Sequence, residues 1–213
     1  MELHYGVMSG NSARSVFCLL ESKAEWKPRF VNTRDGENRK PEYLAHNPMG
    51  KIPSFVDGEF CLWESNAINW YVAEKHPESK LIPETREGRA AVQRWLYFQA
   101  GHVTPACVQV FRSTNPHTQA FWGSKYDASM LEAGTRELAR YLPVLETALA
   151  GKQFLEDVFS LADIAYVPHF MMIKDGGFDF SPYPNIRAWY ERLTSRQAWR
   201  ATHELVFLPV MGH

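Results

Sequence analysis

The stretch from Asn47 to Ala67, NPMGKIPSFVDGEFCLWESNA, constrains the fold of this chain more than any other. It joins an X-Pro step, a two-strand hairpin and a polar helix entrance in one short run. Ile52-Pro53 opens the alternating, β-branched run IPSFV, which predicts a short strand. Proline at a strand's first position removes an amide donor where the ladder needs none. X-Pro is also the one linkage at which a cis bond costs little, so Ile52-Pro53 is a candidate cis peptide. Asp57-Gly58 then predicts a tight reversal into a second strand, Phe60–Trp63. Glu64-Ser65-Asn66 follows at the start of a helix whose Ile68, Tyr71 and Val72 repeat at helical spacing. The amides at such a start can hold a carboxylate, because they are unpaired donors at the positive end of the helix dipole.

Around this stretch, the pattern predicts a strand over Leu3–Gly6, a helix over Ser12–Lys23 carrying Val16, Leu19 and Leu20, and a strand over Arg29–Asn32. That is a βαβ opening. A polar stretch, Thr33–Lys40, leads to a helical turn at Pro41–Ala45, and with the hairpin and the helix after it the order reads βαβαββα. Turn formers and charges crowd HPESKLIPETREG, so residues 81–88 read as a linker between a domain over 1–80 and another over 89–213. Beyond it, long periodic segments predict helices over Arg89–Arg112, Ala128–Leu149, Ser160–Ile173 and Ile186–Leu193, with a short one near Ala198. The fold class is therefore α/β followed by all-α. In FSLADIAYVP, Ser160 and Asp163 form a capping box ahead of an apolar helix, which is a structural motif.

The 213 residues suffice for a substantial core in one large domain or two small ones. A net charge of -1 leaves no electrostatic footprint for nucleic acid or an anionic membrane. No apolar run approaches a membrane span, and the N-terminus lacks the basic-then-apolar order of a signal peptide. Cys18, Cys61 and Cys107 are odd in number and widely spaced, as expected of reduced thiols in a cytoplasmic protein. The eight histidines show no HxxxH spacing, so no metal site is expected.

The pattern NPxGKIPxxxDGxxxLxESxAI resembles the glutathione-binding half of the cytosolic glutathione transferases. The resemblance is strong from Leu3 to Pro77 and looser afterwards. It implies a thioredoxin-like domain followed by an all-helical one, a homodimer, and glutathione as co-substrate. It also implies a cis bond before Pro53, with Ile52 pairing to the cysteinyl backbone of glutathione and with Glu64 and Ser65 binding the γ-glutamyl end. Many members have a Gly-Asp turn where this chain has Leu155-Glu156-Asp157-Val158, so a differently shaped loop is expected there.

The chemistry is expected where the first strand meets the first helix, at Val7-Met8-Ser9-Gly10-Asn11-Ser12. A hydroxyl donor beside a helix N-terminus favours a thiolate, and the glutathione thiol, with a pKa of about 8.5, is little ionised at neutral pH without such help. Setting Leu19 and Glu21 against the plant-type (phi) pattern puts the catalytic serine at Ser9. The same register brings Asn38 and Arg39 toward the glycine carboxylate, with Lys51 beside Ile52. Setting Val16 against a theta-like pattern puts Gly10 there instead and leaves Asn11 or Ser12 as donor. Ser12 is also the expected helix N-cap. Tyr5 and Cys18 read as packing residues.

The resemblance further implies an apolar wall for an electrophile, drawn from Met8, His102, Val103, Ala106 and Phe111 with the Tyr166 helix behind. An amphipathic helix presents such a face in any globular protein. The closing segment, LVFLPVMGH, either covers the site or packs on its domain. The activity implied is detoxifying conjugation of glutathione to a hydrophobic electrophile. Glutathione-dependent isomerisation, dehalogenation or disulfide reduction, and a non-catalytic glutathione-binding module, are the alternatives.

Overall fold

The computed structural model of the protein describes residues 1–211 and divides into two compact units. One comprises Met1–Leu81 and the C-terminal segment from Ala198 onward, and the other comprises Ile82–Gln197. The C-terminal segment, expected with the helical domain, thus returns to the first unit. The reason is local. Trp199 lays its ring edge-on to Phe17, with centroids 5.5 Å apart, and the carbonyl of Val206 accepts the Met8 amide at 2.9 Å. Of the closing segment, Gly212 and His213 lie outside the described residues.

The first unit is built on a four-stranded sheet of order β2-β1-β3-β4. Strands β1 (Glu2–Tyr5) and β2 (Lys27–Phe30) run parallel and are joined by helix α1 (Gly10–Glu21), because parallel neighbours need a crossover. Strands β3 (Ser54–Asp57) and β4 (Phe60–Trp63) form the expected hairpin, closed by the pair Asp57 and Phe60. Its turn is Gly58-Glu59, with Gly58 at φ +62, a conformation that favours glycine. Helix α2 (Pro41–Leu44) precedes the hairpin and α3 (Ser65–Lys75) follows it. The Asp57 carboxylate accepts the Tyr71 hydroxyl at 2.8 Å and pairs with Lys75, tying the hairpin to α3. Leu3, Phe17, Leu19, Phe55, Ile68 and Val72 are completely buried between sheet and helices. Each such side chain contributes roughly 1.5–3 kcal/mol by leaving water. Helices α11 (Gln197–Val206) and α12 (Leu208–Met211) close the chain.

The second unit is helical. Its first long segment, expected as one helix, is α4 (Arg86–Phe98), a π-helical turn over Gln99–Val103, and α5 (Thr104–Thr114). Pro105 explains the interruption, because it lacks an amide and its ring crowds the preceding turn, which widens in response. Helix α6 (Pro116–Trp122) was not anticipated. It has ordinary punctuation: an Asn115 cap on the Thr118 amide, Pro116 in its first turn, and Gly123 at φ +66 beyond its end. Helix α7 (Ala128–Ala148) packs closely on α5, since a Cβ added at Gly134 would lie 2.8 Å from the Ala106 carbonyl. The helix expected over 160–173 is split into α8 (Leu161–Ile164) and α9 (Val167–Asp175), just ahead of Pro168, and α10 (Pro184–Thr194) follows.

Candidate functional site

Helix α1 begins two residues earlier than its periodicity suggests, and this reassigns the serines at its start. Ser9, in extended backbone, is the N-cap, and its Oγ accepts the Ser12 amide at 3.1 Å. Ser12, the expected cap, is completely buried and turns its Oγ back to accept the Gly6 amide at 3.2 Å. Asn11 is exposed on the first turn, while Ser9 is half-buried. The hydroxyl oxygen of Ser9 is thus taken up by the helix while its proton remains available to donate. Met8, just before it, is buried at φ +53.

The Ile52-Pro53 peptide is cis, as expected. Two side chains that sequence reasoning passed over hold the residue before it. The Tyr43 hydroxyl donates to the Lys51 carbonyl at 2.5 Å, and Asn47 Nδ2 donates to the same oxygen at 2.6 Å. Asn38 donates from Nδ2 to the Gly50 carbonyl at 2.6 Å, so its amide braces this loop. Arg39 and Lys51 are exposed at the surface of the same unit. Ile52 sits over Gly6, where an added Cβ would come within 2.3 Å of its Cδ1. Pro53 itself is buried.

Glu64 and Ser65 stand at the start of α3. Glu64 is exposed and lies at φ +70, ψ 109, with no side-chain cap for the helix. Ser65 is 6% exposed, and its Oγ accepts Arg14 Nη1 at 3.2 Å. The same nitrogen reaches Asn66 Oδ1 at 3.4 Å, and the Arg14 carbonyl accepts Asn69 Nδ2 at 3.3 Å. Arg14 is only 3% exposed. The signal for it was present in the sequence: an arginine three and four residues before Phe17 and Cys18 lies on the apolar face of α1, where a charge needs a partner.

The remaining candidates lie in the second unit. His102 is exposed on the π-helical turn, with the rings of Phe98 and Tyr141 at 5.5 and 5.2 Å. Val103, Ala106 and Phe111 are buried; Ala106 faces α7, and Phe111 lies 6.1 Å from the His169 ring. These three belong largely to the packing of their unit. The Tyr166 hydroxyl donates to the Trp95 carbonyl at 2.9 Å. In the Leu155–Val158 loop, Asp157 takes φ +65 and Glu156 accepts Trp95 Nε1 and Arg94, which is how this chain makes the turn without glycine.

Burial pushes the Cys18 thiol up to about 12, so it is inert, and all three cysteines are free. Among the described residues no group of three or more His, Cys, Asp or Glu is arranged to hold a metal ion. No helix among them is long and apolar enough to cross a membrane.

The family model for the glutathione S-transferase N-terminal domain matches residues 1–74, and that for the C-terminal domain matches residues 104–197. The chain belongs to the glutathione S-transferase family, and it is an enzyme of that family. Glutathione S-transferase F10 of Arabidopsis thaliana is 32% identical over 219 residues, which cover 97% of this chain and 98% of the relative. Glutathione S-transferase 3 of Zea mays is also 32% identical, over 96% of this chain and 94% of its own. Among solved structures, glutathione transferase F7 from Populus trichocarpa matches with a TM-score of 0.87 at 27% identity, covering 95% of this chain and 97% of its own. A glutathione S-transferase-I bound to lactoylglutathione matches with the same TM-score and identity, over 96% and 99% of the two chains.

Proposed function

We propose that this chain binds glutathione on its first unit and ionises the thiol for attack on a hydrophobic electrophile. Ile52 pairs with the cysteinyl backbone, Glu64 and Ser65 receive the γ-glutamyl end, and Arg39 and Lys51 face the glycine carboxylate. Ser9 donates to the thiolate. The observation that carries the last assignment is the division of labour between the serines. Ser9 Oγ accepts the Ser12 amide and keeps its proton free, whereas the Ser12 hydroxyl is buried against Gly6. A donated hydrogen bond near the positive end of α1 favours the charged form of the thiol. Attack then gains from proximity and from donors already in place.

The aromatic cluster of Phe98, His102 and Tyr141 supports an apolar acceptor, since it offers π-faces beside an exposed imidazole. Exposed Met49, Phe60 and Trp63 on the first unit support a homodimer. The absence of a disulfide among its cysteines fits a cytoplasmic enzyme.

The test is a pH titration of thiolate absorbance with glutathione bound. Ser9→Ala raises the midpoint and lowers turnover at neutral pH while affinity stays nearly intact; Ser12→Ala and Asn11→Ala leave the midpoint in place. An upward shift in Asn11→Ala with none in Ser9→Ala transfers the role to asparagine.

A further inference from the structure

We propose that the cavity between β1, β2 and α2 is a second ligand site, suited to a small zwitterion with an aromatic side chain, that is, to a free aromatic amino acid.

The cavity measures about 330 Å³, and its walls include His4 of β1, Arg29 and Phe30 of β2, and Tyr43 and His46 at α2. That volume falls at the small end of the range for ligand pockets, about 300–1,000 Å³. Several of the polar groups around it are already committed. Glu2 pairs with Nε2 of His4 at 2.6 Å, the Tyr43 hydroxyl donates to the Lys51 carbonyl, and Glu37 accepts the Asn32 amide at 2.8 Å. With its hydroxyl engaged, Tyr43 contributes its ring, and Phe30, 47% exposed, adds a second aromatic surface.

The uncommitted groups are of both signs. Arg29 and Lys40 line the cavity as cations and Glu42 as an anion, and none of the three has an ion-pair partner among the described residues. Opposite charges that share a cavity without pairing are each left to a counter-charge from outside, and one molecule with a carboxylate and an ammonium group answers both. His46 is an independent observation. Its ring packs edge-on to His4 at 4.9 Å, and its Nδ1 is buried without a hydrogen-bond partner, a cost that a polar atom in the cavity would relieve.

The cavity is separate from the proposed glutathione contacts. Glu37 and Lys40 line it, whereas Asn38 and Arg39 between them do not, and the Asn38 amide is spent on the Gly50 carbonyl.

The experiment titrates L-phenylalanine, 3-phenylpropionate, which lacks the ammonium group, and phenethylamine, which lacks the carboxylate. Ligand-observed NMR reads Kd on the parent, Arg29→Gln and Glu42→Gln, with a thermal melt for each protein. L-Phenylalanine binds the parent at least about threefold more tightly than either analogue, the scale of a partly exposed ion pair. Arg29→Gln weakens L-phenylalanine and 3-phenylpropionate by about three- to tenfold and leaves phenethylamine within about twofold. Glu42→Gln weakens L-phenylalanine and phenethylamine and leaves 3-phenylpropionate in place. Both replaced side chains are exposed, so Tm and the Kd for glutathione hold. Saturating glutathione leaves L-phenylalanine binding unchanged. Displacement by glutathione places the amino acid in the glutathione site and overturns the proposal. So does an analogue that binds as tightly as L-phenylalanine, a Kd that neither variant moves, or no saturable binding below about 10 mM.

Discussion

At the start of α8, Ser160 Oγ accepts the Ala162 amide while Asp163 accepts the amides of Ser160 and Leu155 and the indole of Trp189, all within buried surroundings. At the start of α3, Glu64 caps nothing, its backbone is left-handed, and a buried arginine stands behind the first turn. Both helices face the same need, since the first amides of any helix have no partner within it. Helix α8 meets that need with its own side chains and becomes a fixed point of the second unit. Helix α3 has no such side-chain cap at its N-cap residue. Separating the two roles predicts that changes at α8 act on stability and changes at α3 act on binding.

The largest effect is expected at Asp163. Its replacement by alanine strands two amides and an indole N–H in the interior, each costing about 1–3 kcal/mol, so a loss of roughly 3–5 kcal/mol in unfolding free energy is expected. Denaturant titration measures this, and glutathione affinity of the folded variant should be unchanged. The same residue gives a pH signature. Burial pushes its carboxyl up to about 6, against the N–H donors that pull it down. Its folded value lies above its unfolded one, so its contribution is complete below the usual carboxylate range and is lost as pH rises through about 6. The parent should therefore lose stability relative to Asp163→Asn as pH is raised across that window.

Ser65→Ala should reverse the pattern. On the proposed assignment of Ser65 to the γ-glutamyl carboxylate, removing the hydroxyl takes away one charged hydrogen bond and should weaken glutathione by about 1.5–3 kcal/mol. Stability falls by less, about 1 kcal/mol, because Arg14 keeps Asn66 as a partner. Unchanged affinity by calorimetry would remove Ser65 from the site and erase the contrast with α8.

What the sequence revealed of these regions follows from the range of the interactions. The Ile52-Pro53 step, the hairpin and the capping box of Ser160 and Asp163 were legible because each is decided within a few residues by backbone chemistry. The cap, expected at Ser12, falls on Ser9, because both serines suit a cap and only the Gly6 amide draws Ser12 inward. Arg14 escaped notice because its partner Ser65 is 51 positions away. Tyr43 and Asn47 carry no signal of their own, because their common target, the Lys51 carbonyl, exists only once the loop is folded. The return of the C-terminal helices to the first unit likewise depends on Trp199 meeting Phe17, which no local pattern encodes.

The smallest expected change in stability is also the most discriminating, because it should move stability and binding in opposite directions. Glu64 holds φ +70, ψ 109, a backbone conformation that costs a non-glycine residue about 1–3 kcal/mol. In Glu64→Gly that strain is relieved, and the greater entropy of the unfolded glycine offsets about 0.5–1 kcal/mol of the gain. A net stabilisation of about 1 kcal/mol follows, visible as a higher Tm. On the proposed assignment of Glu64 to the γ-glutamyl end, the lost carboxylate can no longer meet its ammonium group, so the Kd for glutathione should rise. A higher Tm with unchanged Kd would make Glu64 a turn residue and leave the proposed γ-glutamyl contact to Ser65. A lower Tm would show that the left-handed backbone at Glu64 is held by contacts of its carboxylate, and the start of α3 would then resemble α8 more closely than its missing cap suggests.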